Sequence, residues 1–226
     1  MAQDIPIAAN DDGHPAIVQD WAGDRQVFHI PWGKGMMWIF LVSDTFIFTC
    51  FLTAYMTVRI ATVEPWPNAS EVFALTLFGH HLPLILIAIM TFALITSSGT
   101  MAMAVNFAYR RDRRKTATML LLTIMLGASF VGMQAFEWTK LIVDEGVRPW
   151  GNPLGAAQFG ATFFMITGFH GLHVSAGVIY LAVIARKVLR GDYDRNGRYQ
   201  NVEIAGLYWH FVDLVWVFIF ALFYLW

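Results

Sequence analysis

Five stretches of this chain carry little or no charge for about 20 residues or more, the length a helix needs to cross about 30 Å of hydrocarbon. They run approximately Gly35–Val58, Leu82–Phe107, Thr118–Val143, Ala156–Ala185 and Ile204–Trp226. Inside lipid every backbone N–H and C=O must find its partner within the segment, so helix is the expected form. Barrel strands need only about 9–11 residues and strict alternation, which these segments do not show. The expected fold is therefore all-α, an integral membrane bundle of five transmembrane helices.

Composition agrees. Apolar residues make up 57% of the 226 and charged residues 14%, against about 45–50% and about 25% in soluble domains. The charge is missing over continuous runs rather than thinned evenly, so lipid is the main solvent. A net charge of −1 argues against nucleic acid as a partner, since phosphate binding needs a basic patch. The single cysteine, Cys50, lies in an apolar run and excludes an internal disulfide or a multi-cysteine metal site. The chain opens on a polar stretch with Asp4, Asp11, Asp12, Asp20 and Asp24, unlike the basic start and apolar core of a cleavable signal. Residues 1–33 are expected to form a polar acidic tail outside the bilayer, and residues 34–226 one five-helix membrane domain without internal repeats.

Basic residues concentrate in two of the connections: Arg110, Arg111, Arg113, Arg114 and Lys115 in one, Arg186, Lys187, Arg190, Arg195 and Arg198 in the other. By the positive-inside rule both are cytoplasmic, which places the N-terminus inside and the C-terminus outside. The other loops carry Pro65, Pro67, Pro149 and Pro153, with Trp66 and Trp150 as interfacial anchors. Phe223-Tyr224-Leu225-Trp226 suits an aromatic belt at the outer face.

Ionisable residues in a spanning helix are costly and face protein or water. Here they are Asp44, Glu137, His170, His173, His210 and Asp213. Counted from the inferred cytoplasmic ends, Asp44, Ser97, Ser98, Ser129, His173 and Asp213 fall about 9–12 residues deep, roughly 15 Å at 1.5 Å per residue. Five helices thus bring polar atoms to one level, and a shared internal network is expected. His170 and His173 stand at i, i+3, as do His210 and Asp213, so a carboxylate on one helix is positioned to accept from an imidazole on the other. Three readings stand: bundle-holding hydrogen bonds, a lipid headgroup site, and haem or metal ligation, for which His-x-x-His on a helix is a weak signal. Asp44 is flanked at helical spacing by Phe40, Leu41, Phe48 and Phe51 and is read either as an acid bonded to a serine of another helix or as a functional acid beside a lipid or gas pathway.

Several of these runs resemble a known family. WIFLVSDTFIF (Trp38–Phe48), GASFVGMQAFEW (Gly127–Trp138) with Gln134 and Glu137, TGFHGLHV (Thr167–Val174), and YWHFVDLVWVF (Tyr208–Phe218) preceded by Glu203 are similar to subunit III of the haem–copper terminal oxidases. The similarity runs in order through nearly everything from Trp38 onward, and the last two motifs are specific. It departs from the long family form by lacking that form's first two helices, which build one wall of a lipid-holding cleft, and by carrying Asp44 where the family has Glu.

The resemblance implies a short, five-helix bundle docked on subunit I and other oxidase subunits, with no catalytic residues and no haem, copper or other metal of its own. Those cofactors belong to the partner subunits. It also implies bound phospholipid, support of proton uptake into subunit I, and a bacterial-type cytoplasmic membrane location, with cytochrome c as the favoured electron donor. Lipid-binding candidates are Asp44, His173, Arg186 and Lys187. The expected intramembrane polar set is Ser97, Ser98, Ser129, Gln134, Glu137, His170, His173, Glu203, His210 and Asp213. The alternatives are an accessory subunit of a quinol oxidase or nitric oxide reductase, a free-standing haem protein ligated through His170, His173, His210 or His80/His81, and a small transporter using Asp44 and Asp213.

Overall fold

A computed structural model describes residues 31–73, 75–77, 80–82, 84–193 and 199–226. The acidic residues of the expected tail lie outside the described residues, as do Arg195, Arg198 and the side chains of His80 and His81. In chain order the elements are α1 (Trp32–Ala61), a short α2 (Ala69–Val72), strands β1 (Leu75–Leu77) and β2 (His80–Leu82), α3 (Ile85–Tyr109), α4 (Arg113–Val143), α5 (Ala157–Arg190) and α6 (Gln200–Phe220). A π-helical turn, Ala221–Leu225, continues α6. Helices α1, α3, α4, α5 and α6 are each long and apolar enough to cross a membrane. The all-α bundle of five spanning helices expected from the sequence is the observed architecture, with one small antiparallel hairpin added, Leu75 opposite Leu82 and Leu77 opposite His80.

The helix ends correct several sequence boundaries. The second spanning segment starts at Ile85 rather than Leu82, because Leu84 sits in the left-handed region at φ 58° and a right-handed helix cannot pass through it. The third starts at Arg113 rather than Thr118. Asp112 caps it, its Oδ1 accepting the Lys115 backbone N–H at 3.2 Å, so Arg113, Arg114 and Lys115 form a first turn and not a loop. The fourth runs on through Arg186 and Lys187 to Arg190, closed by Gly191 at φ 77° with its N–H on the Lys187 and Val188 carbonyls. The first begins at Trp32 and the fifth at Gln200, each a few residues before the apolar run itself.

The Asp112 cap gives a pH expectation. Its backbone bond from Lys115, together with the Lys115 ammonium 3.2 Å away, holds the carboxyl below the usual carboxylate range. A depressed folded-state pKa adds stability that is complete above the unfolded value, about 3.9, and is lost as pH falls through the folded value. Amide exchange in the first turn of α4 should therefore accelerate below pH 4 in the native protein, and Asp112→Asn should flatten that acid dependence. An unchanged acid profile in the variant would remove the carboxylate as its cause.

The chain divides into two compact units, Met1–Asp44 and Thr45–Trp226. Of the first, the described residues are Pro31 and the opening turns of α1, where Leu41 and Asp44, one turn apart, are buried while Trp32, Ile39 and Val42 are exposed. The second holds a packed bundle in which α4 lies against α3 and α5, and α6 against α3 and α5. Its centre is aromatic. Trp209, 1% exposed, lies between Gly127 of α4 and Gly177 of α5; a Cβ at Gly127 would run into its Cη2 and one at Gly177 would sit 3.0 Å from its Cζ3. Glycine here is a matter of space: only a bare backbone lets three helices close around one indole.

The later turns of α1 join this unit through Phe48, whose ring lies 5.4 Å from that of Phe169 and 6.5 Å from that of Phe211. Tyr55 Oη donates to the Leu222 carbonyl at 3.2 Å. Arg59 Nη2 donates to the Trp226 carbonyl at 2.7 Å, with its guanidinium 4.3 Å from the Trp226 ring centroid. These bonds cover carbonyls in the π turn and just beyond it. Arg59→Met should cost about 1–2 kcal/mol from the lost charged hydrogen bond and cation–π contact and quicken amide exchange in the π turn. Exchange there at the native rate would show that Arg59 does not hold this turn.

Candidate functional site

The polar residues of the spanning helices form several separate clusters, whereas the sequence suggested one shared layer. Ser97 Oγ accepts the Trp209 indole N–H at 2.9 Å and donates to the Leu94 carbonyl at 2.7 Å. Ser98 Oγ, next along α3, is 2.7 Å from His210 Nδ1, and the Asp213 carboxyl faces the same hydroxyl and ring. Ser129 is a correction: it lies on the exposed face of α4 and donates to its own helix, at the Leu126 carbonyl. Depth can be counted along a helix, but facing depends on the neighbours, and Ser129 points away from them. Thr100 and Thr123, 2.8 Å apart, join α3 to α4, and Trp216 Nε1 donates to Thr91 Oγ1 at 3.0 Å. Sequence reading passed over these threonines because a threonine in a spanning helix normally bonds its own backbone.

The pairing of imidazole with carboxylate between α5 and α6 is also corrected. His170, 1% exposed, stacks on Trp216 with centroids 5.4 Å apart and meets Phe130 edge-on at 5.9 Å. Neither of its ring nitrogens has a hydrogen-bond partner among the described residues. His173 Nδ1 bonds the Phe169 carbonyl of its own helix at 2.8 Å, and its backbone carbonyl accepts from Tyr208 Oη at 2.9 Å. The i, i+3 spacing placed both histidines on α5, but His170 turns into the aromatic core and His173 toward Phe48, 5.5 Å between centroids.

Gln134 and Glu137 do meet. Gln134 Nε2 donates to Glu137 Oε2 at 2.7 Å, and Tyr224 Oη donates to both Glu137 oxygens, at 3.3 and 3.2 Å. Glu137 is 3% exposed and Tyr224 2%. Here the expected aromatic belt is corrected in part: Leu225 and Trp226 are exposed, but the π turn carries Phe223 and Tyr224 inward. Glu203, in the first turn of α6, is hydrogen-bonded to Tyr109 at the end of α3.

Of the lipid-binding candidates, Asp44 is buried on α1 at 5% exposure. Arg186 and Lys187 are exposed in the last turns of α5. His173 is on the same unbroken helix, about 21 Å of rise from Lys187, so one headgroup does not reach both. The Phe48 ring that packs on His173 also lines an apolar groove of about 330 Å³ between α1 and α6, with Leu52, Met56, Phe211 and Phe218. Among the described residues no three His, Cys, Asp or Glu side chains group closely enough to hold a metal ion.

Comparison with known proteins places this geometry. The family model described as cytochrome c oxidase subunit III matches residues 27–226. A protein of Staphylococcus aureus named probable quinol oxidase subunit 3 is 31% identical over 188 residues, covering 83% of this chain and 86% of the relative. Its namesake in Staphylococcus saprophyticus is 30% identical over the same share. A match through every spanning helix, taken with two relatives of nearly the same extent, shows that the chain belongs to the cytochrome c oxidase subunit III family, the third subunit of haem–copper oxidases.

Proposed function

We propose that this multi-pass protein is the non-catalytic subunit III of an O2-reducing haem–copper oxidase in a bacterial cytoplasmic membrane, with the Arg110–Lys115 end inward. In this reading haem and copper reside in the partner subunits, and this chain steadies subunit I, holds phospholipid and sustains its proton uptake. The observation that carries it is the family match, which runs through all five membrane helices, residues 27–226, with relatives of nearly the same extent. The apolar groove between α1 and α6 suits an acyl chain.

Sequence motifs favoured cytochrome c as electron donor. The relatives named as quinol oxidase subunits favour a quinol, and that is the donor proposed. The complex purified through a tag on this chain should consume O2 with a reduced quinol and only slowly with reduced cytochrome c. The opposite preference returns the donor to cytochrome c, and reduction of nitric oxide without O2 uptake moves the complex to the reductase branch. In the same preparation Asp44→Ala should assemble normally yet lose activity sooner during sustained turnover. Identical decay in variant and native enzyme would strike Asp44 from the functional residues.

A further inference from the structure

Where α3 turns into α4, Arg110, Arg111, Arg113, Arg114 and Lys115 are all exposed. None of them is among the lipid-binding candidates that the resemblance implied. Arg190, the exposed last residue of α5, reaches the same level, with Arg186 and Lys187 about a turn above it. Helices α4 and α5 run antiparallel, since Gly127 lies beside Val178 and Trp138 beside Gly168. From Gly127 back to Arg114 the rise is about 20 Å, and from Val178 on to Arg190 about 18 Å, at 1.5 Å per residue. Acids at this end are few. Asp112 pairs with Lys115 at 3.2 Å, Glu203 is bonded to Tyr109, and Asp192 lies near Tyr193. Among the described residues, none of Arg110, Arg111, Arg113, Arg114 and Arg190 has an ion pair.

Several of these cations stand where local physics disfavours them. Arg111 closes α3 in the left-handed region at φ 56°, a position that glycine fills without strain. Arg113, Arg114 and Lys115 make up the first turn of α4, which carries no acid, so three positive charges meet the positive end of the helix dipole. Charges that repel one another and oppose the dipole are stabilised together by one anion. We propose that this corner, the α3–α4 turn with Arg190, is a phosphate-binding site, separate from the groove between α1 and α6. Guanidinium forks match phosphate oxygens in pairs. At 31 and 34 residues, α4 and α5 are about 46 and 51 Å long, more than the roughly 40–45 Å of a bilayer with its headgroups. The corner therefore lies at the level of lipid phosphates, where an anionic headgroup reaches it from the bilayer and a soluble phosphate from water.

The test titrates the full chain, purified in mild detergent with whatever subunits accompany it, and counts bound ligand on this chain by native mass spectrometry. The probes are phosphatidylglycerol, phosphatidylcholine of the same chain length, and inorganic pyrophosphate. Phosphatidylglycerol should bind more tightly than phosphatidylcholine, and Arg111→Gly combined with Arg114→Gln should weaken it about tenfold. Arg148→Gln, which removes an exposed cation at the other end of the bundle, should leave it unchanged. Arg111→Gly alone should bind less yet melt no lower than the native chain, because glycine takes the left-handed turn without strain. That pairing separates a lost ligand contact from a lost fold. Pyrophosphate binding that the double variant abolishes, with no preference for the anionic lipid, supports the site and makes its source soluble. The site is overturned if phosphatidylcholine binds as tightly, if the double variant binds both anions as the native chain does, or if Arg148→Gln loses as much. None of these readouts depends on haem or turnover, so the oxidase reading stands or falls separately.

Discussion

Trp209→Ala is expected to destabilise the bundle by about 3 kcal/mol, the low end of the range for removing a fully buried tryptophan from a core. The low end applies because the unfolded alternative is lipid rather than water, so the loss is mainly of packing and hydrogen bonding. The packing is unusually committed here. The indole fills the gap left by Gly127 and Gly177, and its N–H supplies the donor that Ser97 Oγ accepts. The converse change has a sign of its own: Gly127→Val drives a side chain into the ring and should cost about 1–3 kcal/mol by overpacking. If these residues share one contact, Gly127→Val combined with Trp209→Ala should cost less than the sum of the two. Denaturant unfolding of the purified complex reads all three. Strict additivity would mean that the ring and the glycine do not constrain each other.

Glu137→Ala comes next in size. It leaves the Gln134 amide and the Tyr224 hydroxyl, both buried donors, without their acceptor. Taking about 1–2 kcal/mol for each group, the lower half of the range for a buried donor left unmade, the expected cost is about 2–4 kcal/mol. Glu137→Gln keeps an acceptor in place and should cost about 1 kcal/mol, and Tyr224→Phe, which removes one hydroxyl, a similar amount. Thermal unfolding in one detergent orders the three variants. Were Glu137→Gln as damaging as Glu137→Ala, the charge rather than the hydrogen bonds would be what Gln134 and Tyr224 require.

Five spanning helices were legible because runs of apolar residues report depth directly. The helix ends were less so. Arg113, Arg114 and Lys115 looked like a loop because they are charged, yet one cap at Asp112 folds them into the first turn of α4. The polar set was legible as a list of residues and not as an arrangement. In a chain solvated by lipid, apolar residues surround each helix on every side, so no amphipathic period tells which way Ser129 or His170 faces. Glu137 was found as an ionisable residue within a spanning segment and Gln134 beside it in the family-like run, and their i, i+3 spacing lets the two side chains meet. Tyr224 was missed as their partner because a π turn shifts its facing, and nothing in ALFYL announces that turn.

The most direct measurement is the reduced-minus-oxidised spectrum of the complex purified through this chain, repeated on the chain after it is stripped from the complex. Haem bands and O2 uptake should accompany the complex and be absent from the isolated chain. Haem that stays with the isolated chain would contradict a non-catalytic subunit and make its histidines ligands.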